Sequence, residues 1–335
     1  MHPNEGKKMQ KLNITPALLN TPCPWCSELE NLRELYACEY TGAVTTRTSM
    51  LEPYPHDWAK NQYVLFDSNA QKAASVNTQD ATIEQTASLN TIGLSPNNLA
   101  KTTNWVRTIS NELSAPSSKP FIISVFGSPE EVGECYEQIV ALQSEVKMPL
   151  AMEVNISCPN IPGKVSPAYD ANELSPYLSA LQATLKKLNL GENALPIGIK
   201  IPPFTYENQY DELLKGLLQA VENGENLPIS FITSTNTLGS SLVMQNDKAV
   251  LNSELGTGIG GMAGTAIHAL SLGNVYTIRQ MLDKQPKLQH LQIIGVGGVN
   301  DKAGFERMKS VGADFVGLAT ALGVKGIKVF EEINA

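Results

Sequence analysis

Gln292-Ile293-Ile294-Gly295-Val296-Gly297-Gly298-Val299-Asn300 is the stretch that decides the fold. Near-continuous apolar character marks a strand buried on both faces. The run ends on paired glycines, just before an amphipathic stretch from Asp301 to Val311. The same unit of buried strand, turn and helix recurs along the chain. Further runs are Gly42-Ala43-Val44-Thr45-Thr46, Phe121 to Phe126, Met152 to Ser157, Ile197 to Ile201, Phe231 to Ser234 and Phe315 to Leu318. Amphipathic stretches at Pro129 to Val146, Ala171 to Leu188 and Glu207 to Glu222 lie between them. Such alternation implies a parallel sheet.

A closed barrel accounts for the pattern better than an open sheet. No early G-x-G-x-x-G turn of a dinucleotide fold is present. Polar residues instead follow many different strands: Arg47, Asn90, Asn155, Lys200, Asn236, Gly297-Gly298 and Thr320. A (β/α)8 enzyme builds its site in this way, from strand ends that converge on one face. The expectation is an α/β chain folded as a (β/α)8 TIM barrel. Residues 53–88, rich in Gln, Asn, Ala, Ser and Thr, break the alternation and read as a long excursion over the C-terminal face. No domain-scale linker is visible, so residues 1–335 form one domain, with 1–11 expected as a flexible tail.

Composition narrows the function. The chain has 335 residues, 42% of them hydrophobic and only 17% charged, with a net charge of −8. That balance suits a folded acidic protein and argues against nucleic-acid or anionic-membrane partners. No run approaches the roughly 18 apolar residues of a membrane span. The polar N-terminus lacks the apolar core of a signal peptide. Five scattered cysteines fit reduced thiols, and a cytoplasmic location is expected. Cys23-Pro24-Trp25-Cys26 has C-x-x-C spacing, but no second ligand pair completes a zinc site. It reads as a structural loop in preference to a redox or metal motif, and no metal is expected.

Three features carry chemistry. First, Gly295 to Asn300 and Gly317-Leu318-Ala319-Thr320-Ala321-Leu322-Gly323 place two glycine turns in the last two βα units. These are the usual phosphate-binding strand ends of a barrel, where glycine lets backbone N–H groups approach closely. The bland alternative is two tight turns. Second, Lys200 is a cation inside an apolar strand, and burying an ammonium calls for a partner. A structural ion pair or a reduced flavin serves equally well. Gly260-Gly261-Met262-Ala263-Gly264 reads as a flexible turn forming another wall of the same pocket. Third, Asn155-Ile156-Ser157-Cys158-Pro159-Asn160-Ile161-Pro162-Gly163-Lys164 sets a thiol on a Pro-containing turn with Asn amides close by. This combination suits proton chemistry on a planar, amide-rich substrate.

The Cys158 loop, Leu89-Asn90-Thr91-Ile92-Gly93-Leu94, Lys200-Ile201-Pro202-Pro203, Ser234-Thr235-Asn236-Thr237-Leu238-Gly239 and the late glycine turns occur together and in order. From about residue 12 onward the chain resembles the flavin-dependent dihydroorotate dehydrogenases, and its loop ending Pro162-Gly163-Lys164 resembles the soluble class 1A, fumarate-type branch. The resemblance implies FMN as cofactor, contacted by Thr21, Arg47, Thr48, Asn155, Lys200, Gly260, Gly261, Gly297, Gly298, Ala319 and Thr320. It implies substrate contacts from Arg47, Asn90, Ile92, Gly93, Leu94, Asn155, Asn160, Asn236 and Thr237. Cys158 would be the general base that takes the C5 proton of (S)-dihydroorotate as hydride leaves C6 for the flavin, giving orotate in pyrimidine biosynthesis. Fumarate as electron acceptor and a homodimer follow by the same likeness. The alternatives are an FMN oxidoreductase of a related cyclic imide or dihydropyrimidine, and a non-catalytic flavin-binding homologue. The chain departs from the family pattern at Arg47, where the family has Lys, and at Asn20-Thr21-Pro22-Cys23, where it has Asn-Ala-Ser-Gly. It departs again in the longer 53–88 segment and at Ala319, where Gly is common.

Overall fold

The computed structural model describes residues 9–157, 160, 163, 165–222 and 226–335. Eight parallel strands form the central sheet: β1 (Leu18–Asn20), β2 (Val44–Thr45), β3 (Phe121–Val125), β4 (Leu150–Asn155), β5 (Ile197–Ile201), β6 (Phe231–Ser234), β7 (Gln292–Val296) and β8 (Phe315–Leu318). Their order runs from β1 through β8 down to β2, and a bridge between Leu19 and Ala43 joins the two ends. The result is a (β/α)8 TIM barrel. Helices α1 (Leu29–Ala37), α2 (Leu99–Glu112), α3 (Pro129–Gln143), α4 (Ala171–Leu188), α5 (Glu207–Ala220), α6 (His268–Asp283), α7 (Lys302–Ser310) and α8 (Thr320–Lys325) each follow one strand, and α9 (Lys328–Asn334) ends the chain.

Local signals set the helix starts. Ser128 Oγ accepts from the Glu131 N–H while Glu131 Oε2 accepts from the Ser128 N–H, with Pro129 in the first turn. Asp170 and Asp301 cap α4 and α7 in the simpler way. The main core lies between barrel and helices. Inside the barrel, Leu19, Ile122, Ala151, Phe231, Ile294 and Phe315 pack with Leu12 and Ile14. A Cβ on Gly198 would stand 2.2 Å from the Phe231 ring, so the missing side chain leaves room for that phenyl group.

Two expectations change. Residues 53–88 are not a plain loop. Tyr63–Asp67 and Lys72–Ala73 join Ala87–Asn90, Leu238–Ser241 and Gly260–Gly264 in a five-stranded antiparallel sheet. Its apolar side, with Val64, Phe66, Ala87, Leu89, Val243 and Leu251, forms a small core of its own. The glycine cluster at 260–264 is likewise a strand and not a flexible turn. Gly260 runs so close to the neighbouring strand that a Cβ would lie 2.2 Å from the Asn90 carbonyl oxygen. Asn90 therefore sits on this canopy sheet and not at a barrel strand end.

Candidate active site

Two adjoining clefts open at the carboxyl ends of the barrel strands. The first, about 510 Å³, is lined by Thr21, Gly264, Thr265, Gly297, Gly298, Ala319 and Thr320 among others. The second, about 730 Å³, takes in Arg47, Thr48, Asn90, Asn155, Asn160, Asn236 and Thr237, roofed by Tyr63 and Ser88 of the canopy. Lys200, Asn236, Thr237, Ala319 and Thr320 line both clefts, so the two are halves of one site.

The glycine turn after β7 has a shape that side chains would spoil. Gly297 has φ 135° and Gly298 φ 72°. A Cβ on Gly297 would fall 1.9 Å from Ser271 Oγ, and one on Gly298 would fall 2.7 Å from the Gly264 carbonyl oxygen. His268 holds the turn. Arg307 Nε can only donate, and it lies 3.2 Å from His268 Nε2. His268 Nδ1 therefore carries the proton and donates to the Gly297 carbonyl at 2.7 Å. Ser88 Oγ lies 2.9 Å from Thr320 Oγ1, which ties the canopy to the start of α8. The cradle is backbone-rich and narrow, a shape suited to an anionic group such as a phosphate.

At the other end, Asn amides converge from four separate elements. Asn160 Nδ2 donates to Asn90 Oδ1 at 2.8 Å and to the Ile92 carbonyl at 2.8 Å. Asn90 Nδ2 in turn donates to the Gly261 carbonyl. Asn236 Nδ2 donates to Asn155 Oδ1 at 3.2 Å and to Ser157 Oγ at 2.9 Å. Arg47 donates to the Leu94 carbonyl at 3.0 Å and to Ser27 Oγ at 3.3 Å, which sets its guanidinium on the rim of the larger cleft. Tyr54 packs on Gly93, where a Cβ would meet its ring at 2.4 Å. Lys200 is 4% exposed, its ammonium donates no hydrogen bond among the described residues, and it lines both clefts.

A polar relay inside the barrel orients Asn155. Glu153, 1% exposed, accepts from Thr233 Oγ1 at 2.6 Å and from Ser124 Oγ at 3.1 Å. Ser124 spends its one proton there, so Thr48 is the donor in the 3.0 Å contact between their hydroxyls. Thr48 Oγ1 is then free to accept from Asn155 Nδ2 at 3.1 Å. The chain of donors fixes which end of the Asn155 amide faces Asn236. Sequence reasoning missed Glu153, although an acid in an apolar strand is the same signal that singled out Lys200.

Of the residues expected at the site, Thr21, Arg47, Thr48, Asn90, Ile92, Gly93, Leu94, Asn155, Asn160, Lys200, Asn236, Thr237, Gly297, Gly298, Ala319 and Thr320 line the two clefts. Gly260 and Gly261 are placed differently. They lie further along their strand, Gly260 against a separate hollow, while Ala263 to Thr265 form the wall. Cys158 lies outside the described residues. Pro22, Cys23, Pro24 and Trp25, read from the sequence as a structural loop, stand on the wall of the larger cleft. Among the described residues no three His, Cys, Asp or Glu side chains converge as a metal site.

Comparison with known proteins shows the family and the fold. The sequence model of the family described as Dihydroorotate dehydrogenase matches residues 66–335. A Streptococcus pyogenes protein named "Putative dihydroorotate dehydrogenase A (fumarate)" is 29% identical over 286 residues, covering 81% of this chain and 82% of its own. A protein of the same name from Streptococcus uberis is 31% identical over 221 residues, 65% of this chain and 62% of its own. In fold, the chain is similar to ligand-free DHODH from Eimeria tenella, with a TM-score of 0.70 at 14% identity, over 97% of this chain and 84% of that one. The chain belongs to the dihydroorotate dehydrogenase family, as a divergent member, and is an oxidoreductase.

Proposed function

We propose that this enzyme oxidises (S)-dihydroorotate to orotate with FMN as its cofactor, Cys158 as general base and fumarate as electron acceptor. The observation that carries the reading is the meeting of Asn90, Asn155, Asn160 and Asn236 in one cleft that opens onto a glycine cradle, with Lys200 between the two. A cyclic imide presents alternating N–H donors and C=O acceptors, and an Asn amide matches both at once. Arg47 on the same rim offers a planar fork suited to a carboxylate.

The residues present fit the cofactor. Gly297, Gly298, Ala319, Thr320 and Thr21 would hold the phosphate end, and Thr48, Asn155 and Lys200 the ring. FMN, when bound, accepts the hydride from C6 of the substrate. Lys200 would supply positive charge where negative charge gathers near the ring on reduction. Asn90 and Asn160, already bonded to each other, would fix the pyrimidine ring in its plane. Cys158 would take the C5 proton, a role that rests on its sequence context alone. Its neighbour in the sequence, Ser157, donates to Asn155 Oδ1 and accepts from Asn236 Nδ2. The canopy would keep bulk water from the reacting face. A cytosolic homodimer completes the proposal; among the described residues no helix is long and apolar enough to cross a membrane.

Anaerobic addition of dihydroorotate to the FMN-loaded protein tests it, with dihydrouracil as the comparison. Bleaching of the yellow flavin by dihydroorotate, and not by the compound lacking the carboxylate, supports the proposal. Bleaching by dihydrouracil alone would move the assignment to a related dihydropyrimidine. A protein that stays yellow with both is a flavin binder without this turnover.

A further inference from the structure

The wall of the larger cleft carries two thiols that the dihydroorotate reaction does not use. Cys23 lines the cleft beside Lys200, Thr48 and Ala319, and its neighbour Pro22 lines both halves of the site. Cys26 lies one turn behind it. The two sulfurs are 3.8 Å apart, the Cys23 N–H donates to Cys26 Sγ at 3.3 Å, and both side chains are free thiols. A disulfide bond is about 2.05 Å long, so closure needs a movement of only about 2 Å within a single C-x-x-C turn.

We infer that Cys23 and Cys26 form a redox-active dithiol that exchanges an electron pair with the flavin, giving the loaded protein a second two-electron centre. This rests on the FMN reading given above. When the S–S bond forms, the thiols give up two protons and two electrons. The electron pair enters the flavin ring with one proton, and the other proton leaves to solvent. The reverse step opens the disulfide with electrons that dihydroorotate has delivered, and the protein's usual acceptor clears the flavin. No further co-reactant is needed.

Burial selects the flavin as the exchange partner. Cys23 is 7% exposed and Cys26 1%, so a protein disulfide cannot reach either sulfur in line. What remains within reach is the occupant of the cleft that Cys23 lines. The charges around the pair suit the chemistry. Burial pushes the Cys23 thiol up, reinforced by its hydrogen bond to Cys26. Burial also opposes ionisation of Cys26, yet hydrogen bonds from the Cys23 thiol and backbone, with Arg47 and Lys200 nearby, hold Cys26 below its ordinary value. The asymmetry makes Cys26 the easier of the two to ionise, and the thiolate is the form that reacts. Cys135 marks the contrast: buried on α3, it is pushed up to about 12, mainly by burial, and stays inert.

The test has one measurement on loaded protein and one that is independent of flavin. FMN-loaded protein, oxidised with ferricyanide and freed of oxidant, is titrated anaerobically with dithionite while flavin absorbance is followed. The inference expects full bleaching to take two equivalents in the wild type and one in Cys26→Ser, a twofold difference. Separately, flavin-free protein is treated with diamide, unfolded in N-ethylmaleimide and digested with trypsin. The peptide Leu12 to Arg33 should then be unalkylated at both cysteines and lighter by two hydrogens. Protein that loads FMN, takes one equivalent and leaves both thiols alkylated overturns the dithiol centre and spares the FMN reading. A disulfide that forms without a second equivalent overturns exchange with the flavin. Protein that takes up no FMN removes both readings, and the diamide result then reports only the thiols' own chemistry.

Discussion

Asn160 Nδ2 and Asn90 Oδ1 meet at 2.8 Å and join the loop after β4 to the canopy sheet. One partner comes from the barrel and the other from a segment more than sixty residues earlier, so the cleft is assembled only when the canopy docks. Asn160→Ala removes this bond and two more, to the Asn90 and Ile92 carbonyls. An unmade bond of this kind costs about 1–3 kcal/mol. Steady-state kinetics should show KM for dihydroorotate raised about tenfold or more, with the melting temperature lowered by a few degrees. An unchanged KM would remove Asn160 from the substrate contacts.

Glu153→Gln tests the relay beneath the site. Both Glu153 oxygens accept, from Ser124 and Thr233. A glutamine must present an N–H to one of them: towards Ser124 it reverses the Ser124–Thr48 contact and sets Thr48 against Asn155, and towards Thr233 it costs that hydroxyl its acceptor. The expected loss is about 1–3 kcal/mol of stability, read by urea denaturation of flavin-free protein, together with slower turnover. Equal stability and equal turnover would show that the order of donors is immaterial.

Gly298→Ala puts a Cβ at φ 72° and 2.6 Å from His268 Cβ. Strain of this kind costs about 1–3 kcal/mol, and FMN fluorescence titration should show weaker binding. Gly273→Ala is the control. It lies within α6 with nothing within 4 Å of its Cβ, and there alanine should stabilise by up to about 1 kcal/mol.

His56 gives the protein a dependence on mild acid. Neither ring nitrogen has a hydrogen-bond partner among the described residues. Burial first, then the charge of Arg47, holds its pKa below the ordinary value of about 6.5. Above that value His56 is neutral in both states and contributes no pH dependence. As pH falls below it, the unfolded chain takes up a proton that the folded chain refuses, so stability declines until the folded pKa is passed. Melting curves of wild type and His56→Gln from about pH 7.5 to about pH 5 should diverge in that sense. Parallel curves would show that His56 is not the group responsible.

Cys158→Ser should keep FMN and slow flavin bleaching by dihydroorotate at neutral pH by about 10²–10⁴-fold, with the loss smaller at higher pH because a hydroxyl is the weaker acid. Full turnover with normal colour would remove Cys158 as the base.

Much of the barrel was legible in the sequence because strands buried on both faces are written as unbroken apolar runs. Ile197 to Ile201 and Ala171 to Leu188 appear in the fold within the same bounds. The first strand was not legible. Leu18–Asn20 is three residues long between prolines, too short to make a run, and it is a strand because β8 and β2 hold it on either side. Lys200 and the late glycines were legible because a charge or a missing side chain is conspicuous inside an apolar strand.

The sequence by itself determined the barrel, the glycine turn after β7, and the family to which the chain belongs, since each is encoded in local composition and order. Tertiary structure alone decided the canopy, whose strands at 63–67, 87–90 and 260–264 find partners far along the chain. It also decided that Asn90 meets Asn160, that Glu153 orients Asn155 through two hydroxyls, and that Cys23 stands on the cleft wall. These are contacts between residues distant in sequence. Their distances are set by how strands and loops pack, which no local pattern of residues records.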